Sequence, residues 1–231
     1  MTATLAVAFG AIGLAVGWLL DPVITRVPHR QPVTGPADES VVAPSSTTQQ
    51  VLVSIVCGVL FGALAARFEG SWALPAYLVL ATALVALSLI DLQHYLLPNR
   101  IVYPLALTMV VLLGIASVGD DDTGALLRGL VAGAVAFAAF FVLHLVSPRS
   151  MGFGDVKLAF VLGLSLGWLG WGEVFLGLFL GFVYGAFVGL ALIALRVRER
   201  NEALPFGPFL AAGALTSILV GSAVITWYRG G

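Results

Sequence analysis

Charge is what this chain has least of. Its 231 residues include 11 Lys and Arg and 12 Asp and Glu, 10% in all, with a formal net charge of −1. Soluble domains carry about 25% charged residues, so the composition argues against a water-soluble globule, and no basic excess points to nucleic acid. Cysteine is nearly missing as well. Cys57 stands alone, which rules out an internal disulfide and a cysteine-based zinc site. Inside an apolar run it reads as a small buried residue. The first apolar run has neither a basic leader nor a small-residue cleavage site, and reads as a retained helix rather than a signal peptide.

What is abundant is hydrophobic sequence, 60% of the chain. A membrane span needs about 20 mostly apolar residues. Stretches of that kind fall at 4–20, 51–66, 72–90, 101–118, 124–146, 155–171, 174–195 and 207–228. None alternates as a barrel strand would, so the expected fold is all-α: a polytopic membrane helical bundle of about eight transmembrane helices, forming a single membrane-embedded domain over 1–231. Residues 21–50, rich in Pro, Ser and Thr, read as a flexible loop rather than a second domain.

Basic residues orient such a bundle. Eight spans gather Arg26, Arg30, Arg100, Arg149, Lys157, Arg196, Arg198 and Arg200 on one side, and Arg67, Arg128 and Arg229 on the other. The richer side is expected in the cytoplasm, with both termini outside. RVRERNE (196–202) reads as an interfacial anchor, and the Asp120, Asp121, Asp122 run as a solvated outside turn. Gly177, Gly181, Gly185 and Gly189 recur every fourth residue, a spacing that puts small residues on one helix face and suits close packing inside the bundle.

Two acidic residues stand apart. Asp91 closes the third apolar stretch and Asp155 opens the sixth, both on the side expected to be cytoplasmic. An ionisable group at membrane depth is expensive and marks function by default. The sixth stretch is also short, with 15 uncharged residues from 158 to 172, which draws Asp155 toward the membrane. Gly152 and Gly154 beside it let backbone turn tightly and another chain approach. Two carboxylates that face each other share a proton, one activating water while the other protonates a substrate carbonyl. Such a pair hydrolyses a peptide bond without metal or covalent intermediate. The competing reading is that each aspartate caps a helix or pairs with Lys157, Arg100 or Arg149.

Four separated segments carry a family resemblance. GFGDVKL (152–158) resembles the Gly-x-Gly-Asp motif of bacterial type IV prepilin peptidases, which are polytopic aspartic proteases. IDLQHYLLPN (90–99) is similar to that family's first catalytic segment, LPFGPFLA (204–211) to its Pro-Phe-Gly-Pro segment, and GWLLDPVITRVP (17–28) to the end of its first helix. The resemblance implies Asp91 and Asp155 as the catalytic pair, with no cofactor and no metal. It implies a bacterial inner-membrane enzyme that removes short basic leaders from prepilin or pseudopilin precursors at the cytoplasmic face. Many relatives carry a cytoplasmic insertion with two cysteine pairs, associated with N-methylation. Residues 21–50 hold no cysteine, so a peptidase-only form is expected.

Gly152, Gly154, Lys157, Pro205, Gly207 and Pro208 are the remaining candidates for an active-site loop or substrate edge. Lys157 serves equally as an interfacial anchor contacting membrane lipid, and the two prolines equally as a rigid start to the last helix. His94, three residues beyond Asp91, and His144 read as hydrogen-bonded helix-end residues, and His29 as a solvated loop residue. A homodimer is compatible with the sequence. Outside this family, the chain suits a related protease acting on other membrane helices or signal peptides, a noncatalytic assembly component, or a small transporter whose aspartates carry protons or cations. No internal repeat of the transporter kind is evident.

Overall fold

A backbone in lipid must satisfy its own hydrogen bonds, and the apolar runs do so as helices. A computed structural model describes residues 2–29, 46–147, 151–195, 204–228 and 230. Among the described residues there are nine helices and no strand: α1 (Thr2–Leu19), α2 (Asp21–Arg26), α3 (Thr47–Arg67), α4 (Leu74–His94), α5 (Asn99–Gly119), α6 (Thr123–Val146), α7 (Phe153–Leu169), α8 (Trp171–Ala194) and α9 (Gly207–Tyr228). Counting α1 and α2 as one segment, seven are long and apolar enough to cross a membrane. The eighth, α7, is the short sixth stretch. Its 17 residues rise about 25 Å, against a hydrocarbon core of about 30 Å.

The chain divides into two compact units, Met1–Asp121 and Asp122–Gly231. In the first, α1 packs along α3, α4 lies against α3 and α5, and α2 rests on α4. The α1–α3 seam is close: a Cβ on Gly13 would stand 2.5 Å from the Cys57 carbonyl oxygen. Cys57 itself is buried, as expected of a small core residue. Residues 21–50 begin differently from the expected loop. Pro22 suits the first turn of a helix, Ile24 is buried with Leu20, Cys57 and Ile90, and together they hold α2 against the core. Helix α3 then starts at Thr47, with the Ser46 hydroxyl accepting the Gln49 N–H at 3.1 Å. Residues 30–45 between them, and the anchor at 196–202, lie outside the described residues.

In the second unit α6 pairs tightly with α7, α8 pairs with α9, and α7 also packs on α8 and α9. Gly129 and Gly133 on α6 face Gly163 and Gly167 on α7. A Cβ on Gly163 would come within 2.7 Å of the Ala132 carbonyl oxygen. The every-fourth-residue stripe on α8 does the same work against α9: Gly177, Gly181 and Gly185 are buried, and Gly213 of α9 sits against the backbone of Gly177 and Gly181. Gly189 departs from that expectation, since a Cβ there would meet open space.

The acidic run at 120–122 is also more structural than a solvated turn. Asp120 accepts the Ser71 hydroxyl at 2.6 Å and the Trp72 N–H at 3.0 Å, tying the α3–α4 turn to the end of α5. Asp122 caps α6 by accepting the Ala125 N–H at 3.1 Å.

Candidate active site

Asp91 belongs to the first unit. It lies in the last turn of α4 and is 5% exposed, next to the fully buried Ile90. The helix stops there because Tyr95 takes the left-handed conformation (φ 54°, ψ 37°), and its N–H returns to the Asp91 carbonyl at 2.9 Å. Left-handed geometry in a residue other than glycine is uncommon and ends a helix. Pro98 then precedes α5, fixed in an extended conformation, and its carbonyl accepts from Ile101 and Val102. A cleft of about 460 Å³ opens beside this turn, lined by Val27, Pro28, Leu96, Leu97, Pro98, Asn99 and Arg100. His94, expected to be a hydrogen-bonded helix-end residue, has its ring 5.3 Å from that of His29 in an edge-on pair. His29 is exposed, yet engaged in that pair rather than merely solvated.

Asp155 belongs to the second unit. It occupies the first turn of α7 and is 7% exposed, followed by the buried Val156, Leu158 and Ala159. Gly152 stands just before the helix in an extended conformation (φ −68°, ψ 146°), and its carbonyl accepts the Asp155 N–H at 3.1 Å. That φ is open to any residue, so glycine is not needed for the turn itself. Space gives it a role instead: a Cβ on Gly152 would lie 3.4 Å from Asp155 Oδ2, covering one approach to the carboxylate. Gly154 is in the same helical turn. Lys157 is half-buried, with its ammonium 4.8 Å from the centre of the Phe153 ring. That is a cation–π pair across one turn of helix.

Pro205, Gly207 and Pro208 lead into α9, with Pro205 and Gly207 buried. Phe206 between them accepts from Phe209 and Leu210 through its carbonyl, and its ring lies 5.0 Å from Phe182 on α8. These contacts tie the segment to α8, whereas Gly152, Gly154, Asp155 and Lys157 form one cluster at the start of α7. Two contacts from α6 hold the ends of α7, and the helix-end hydrogen bond expected of His144 is one of them. His144 Nδ1 lies 2.8 Å from the Met151 carbonyl oxygen, and Arg128 reaches the carbonyls at the other end of α7. Each pairs a side chain with a backbone atom, which no residue pattern records. Among the described residues no group of three or more His, Cys, Asp and Glu side chains is placed to hold a metal ion.

Among the described residues each unit thus carries one buried carboxylate at a helix end, within a multi-pass helical membrane protein. Residues 78–190, from α4 into α8 and including both Asp91 and Asp155, match the type IV leader peptidase family. The chain is also similar to curated proteins over a longer stretch. It is 37% identical over 180 residues to the prepilin leader peptidase/N-methyltransferase of Aeromonas hydrophila, with 77% of this chain and 60% of that protein covered. The protein of the same description from Pseudomonas aeruginosa is 34% identical over 181 residues, with the same shares covered. One from Burkholderia pseudomallei strain K96243 is 37% identical over 178 residues, 74% of this chain and 54% of the relative. The chain spans about 60% of the length of the first two. No solved structure matches it.

Proposed function

We propose that this chain is a membrane aspartic endopeptidase that removes the leader from type IV prepilin or pseudopilin precursors, with Asp91 and Asp155 acting on one water molecule. The observation that carries the reading is the pair of carboxylates, 5% and 7% exposed, each at the end of an apolar helix and both inside the segment that matches the family. One carboxylate takes the proton of the attacking water while the other protonates the scissile carbonyl; the roles then reverse as the amine leaves. The precursor's apolar segment stays among the helices and its basic leader in water. The cut is placed at the cytoplasmic face of a bacterial inner membrane, following the excess of basic residues on that side.

Peptidase activity without N-methylation is part of the proposal. The only cysteine, Cys57, is buried in α3 against α1, and no cysteine pair exists to build the insertion found in many relatives. The test uses the full chain in lipid vesicles with a prepilin-type precursor and a labelled methyl donor. The expected result is leader release by the parent, none by Asp91→Asn or Asp155→Asn, and no label on the new terminus. Release at parental rate by either variant would refute the pairing, and labelled product would refute the peptidase-only reading.

A further inference from the structure

Helix α6 holds α7 at both ends. Near its own start, Arg128 reaches the carbonyls of Gly167 and Trp168 where α7 finishes. Near its own end, His144 lies 2.8 Å from the carbonyl oxygen of Met151, just ahead of the Gly-x-Gly-Asp turn. A carbonyl only accepts, so Nδ1 carries the hydrogen and the imidazole is fixed in that tautomer. The ring also stands 5.6 Å from Phe153, which in turn lies 6.3 Å from Phe141 of α6 and under the Lys157 ammonium.

The turn needs such an anchor. Two of the three residues between Met151 and Asp155 are glycines, the residue with the most backbone freedom to lose. Gly152 sits between the His144 anchor and Asp155: its carbonyl holds the Asp155 N–H, and its Cα faces Asp155 Oδ2. Movement at Met151 is therefore passed through Gly152 to the carboxylate. A misplacement of about 1 Å at a reacting group costs on the order of 100-fold in rate. The Met151 side chain is buried, which fixes the residue from one side, and the His144 hydrogen bond fixes its backbone from the other.

We propose that His144 is a positioning residue for Asp155, holding the Gly-x-Gly-Asp turn through the Met151 carbonyl. The inference rests on the reading of Asp155 as half of the hydrolytic pair. His144 stays out of the proton transfers and acts only on geometry. Asparagine places its amide nitrogen where histidine has Nδ1, so it preserves the donor. Phenylalanine keeps a ring against Phe153 and loses the donor, and alanine loses both.

The experiment compares leader-release kinetics of the parent, His144→Asn, His144→Phe and His144→Ala in lipid vesicles, with Asp155→Asn as the inactive reference. Thermal unfolding is measured on the same samples. Alanine and phenylalanine are expected to lower kcat about 10- to 100-fold with little change in KM, as loss of an orienting contact does. Asparagine is expected to return most of the rate, with all the midpoints close together. Parental kcat in the alanine and phenylalanine variants would overturn the proposal. So would an asparagine variant as slow as they are, or a rate loss that merely follows a lower folded fraction. Parental cleavage by Asp155→Asn would instead sink the role of Asp155, and this inference with it. Nitrogen NMR of the imidazole separates the two failures, because an Nδ1–H tautomer at His144 would persist in that case.

Discussion

Replacing Arg128 with methionine keeps an unbranched stem as far as the position of Nε and removes the guanidinium. Helix α7 ends at Leu169, and its last four carbonyls have no partner within the helix. The Leu166 carbonyl accepts the Gly170 N–H at 2.9 Å. Those of Gly167 and Trp168 accept from Arg128 Nε at 2.8 Å and Nη2 at 2.5 Å. A cation at this end also meets the negative end of the helix dipole. Hydrogen bonds to charged groups contribute about 1.5–3 kcal/mol each. Arg128 is 31% exposed, so the pair of bonds together is expected to contribute roughly 2–4 kcal/mol. At roughly 2–4 °C per kcal/mol for a chain of this size, the midpoint should fall by about 4–16 °C. The assay is thermal unfolding in detergent followed by tryptophan emission. Arg128→Lys should recover part of the loss, since an ammonium lacks the fork that reaches two carbonyls. The ion pair with Asp122, at 3.6 Å with Asp122 54% exposed, contributes about 1 kcal/mol at most. Asp122→Asn leaves the capping oxygen in place and should change little. A methionine variant within about 1 °C of the parent would refute the carbonyl account. An asparagine variant as unstable as the methionine one would assign the effect to the ion pair instead.

The helices were legible because a membrane span writes itself as one long apolar run, and the stretch at 155–171 was already short on paper. Asp91 and Asp155 were legible because a carboxylate in such a run is costly and therefore rare. Residues 21–26 read as loop because six residues carry too little periodicity to announce a helix; tertiary burial of Ile24 decides it. Gly189 shares the spacing of Gly177, Gly181 and Gly185 but lies beyond the close contact with α9, and spacing alone does not say where two helices diverge. The acidic run at 120–122 looked solvated because its partners are a serine hydroxyl and backbone N–H groups. A helix-end hydrogen bond is legible at His144 from its place in the chain, but its partner and the Arg128 contact are not, because both partners are carbonyls contributed by whichever residue stands there.

Three further outcomes follow from the same contacts. Gly152→Ala should lower kcat and leave the unfolding midpoint unchanged, because its backbone angles suit alanine while the new methyl lies 3.4 Å from Asp155 Oδ2; unchanged kcat would show that this approach to the carboxylate is not used. Gly163→Ala should destabilise the protein by about 1–3 kcal/mol through overpacking against α6, whereas Gly189→Ala, facing open space, should be neutral or slightly stabilising; equal midpoints would refute the seam. The last concerns orientation. Of the three arginines counted on the side away from the aspartates, Arg67 stacks on Phe68 with its guanidinium carbon 5.3 Å from the ring centre, in the last turn of α3. Arg128 is engaged with the end of α7. Lys157 on the richer side has a local contact too, over Phe153, so the orientation rests on the count of basic residues alone. With Cys57 replaced by alanine, a single cysteine at the exposed Glu69 should react with an impermeant thiol reagent added outside intact cells, and one at the exposed Leu195 only after the membrane is opened. The reverse pattern would put both carboxylate-bearing helix ends outside the cell, where a leader held in the cytoplasm never arrives, and the proposed cleavage would lose its substrate.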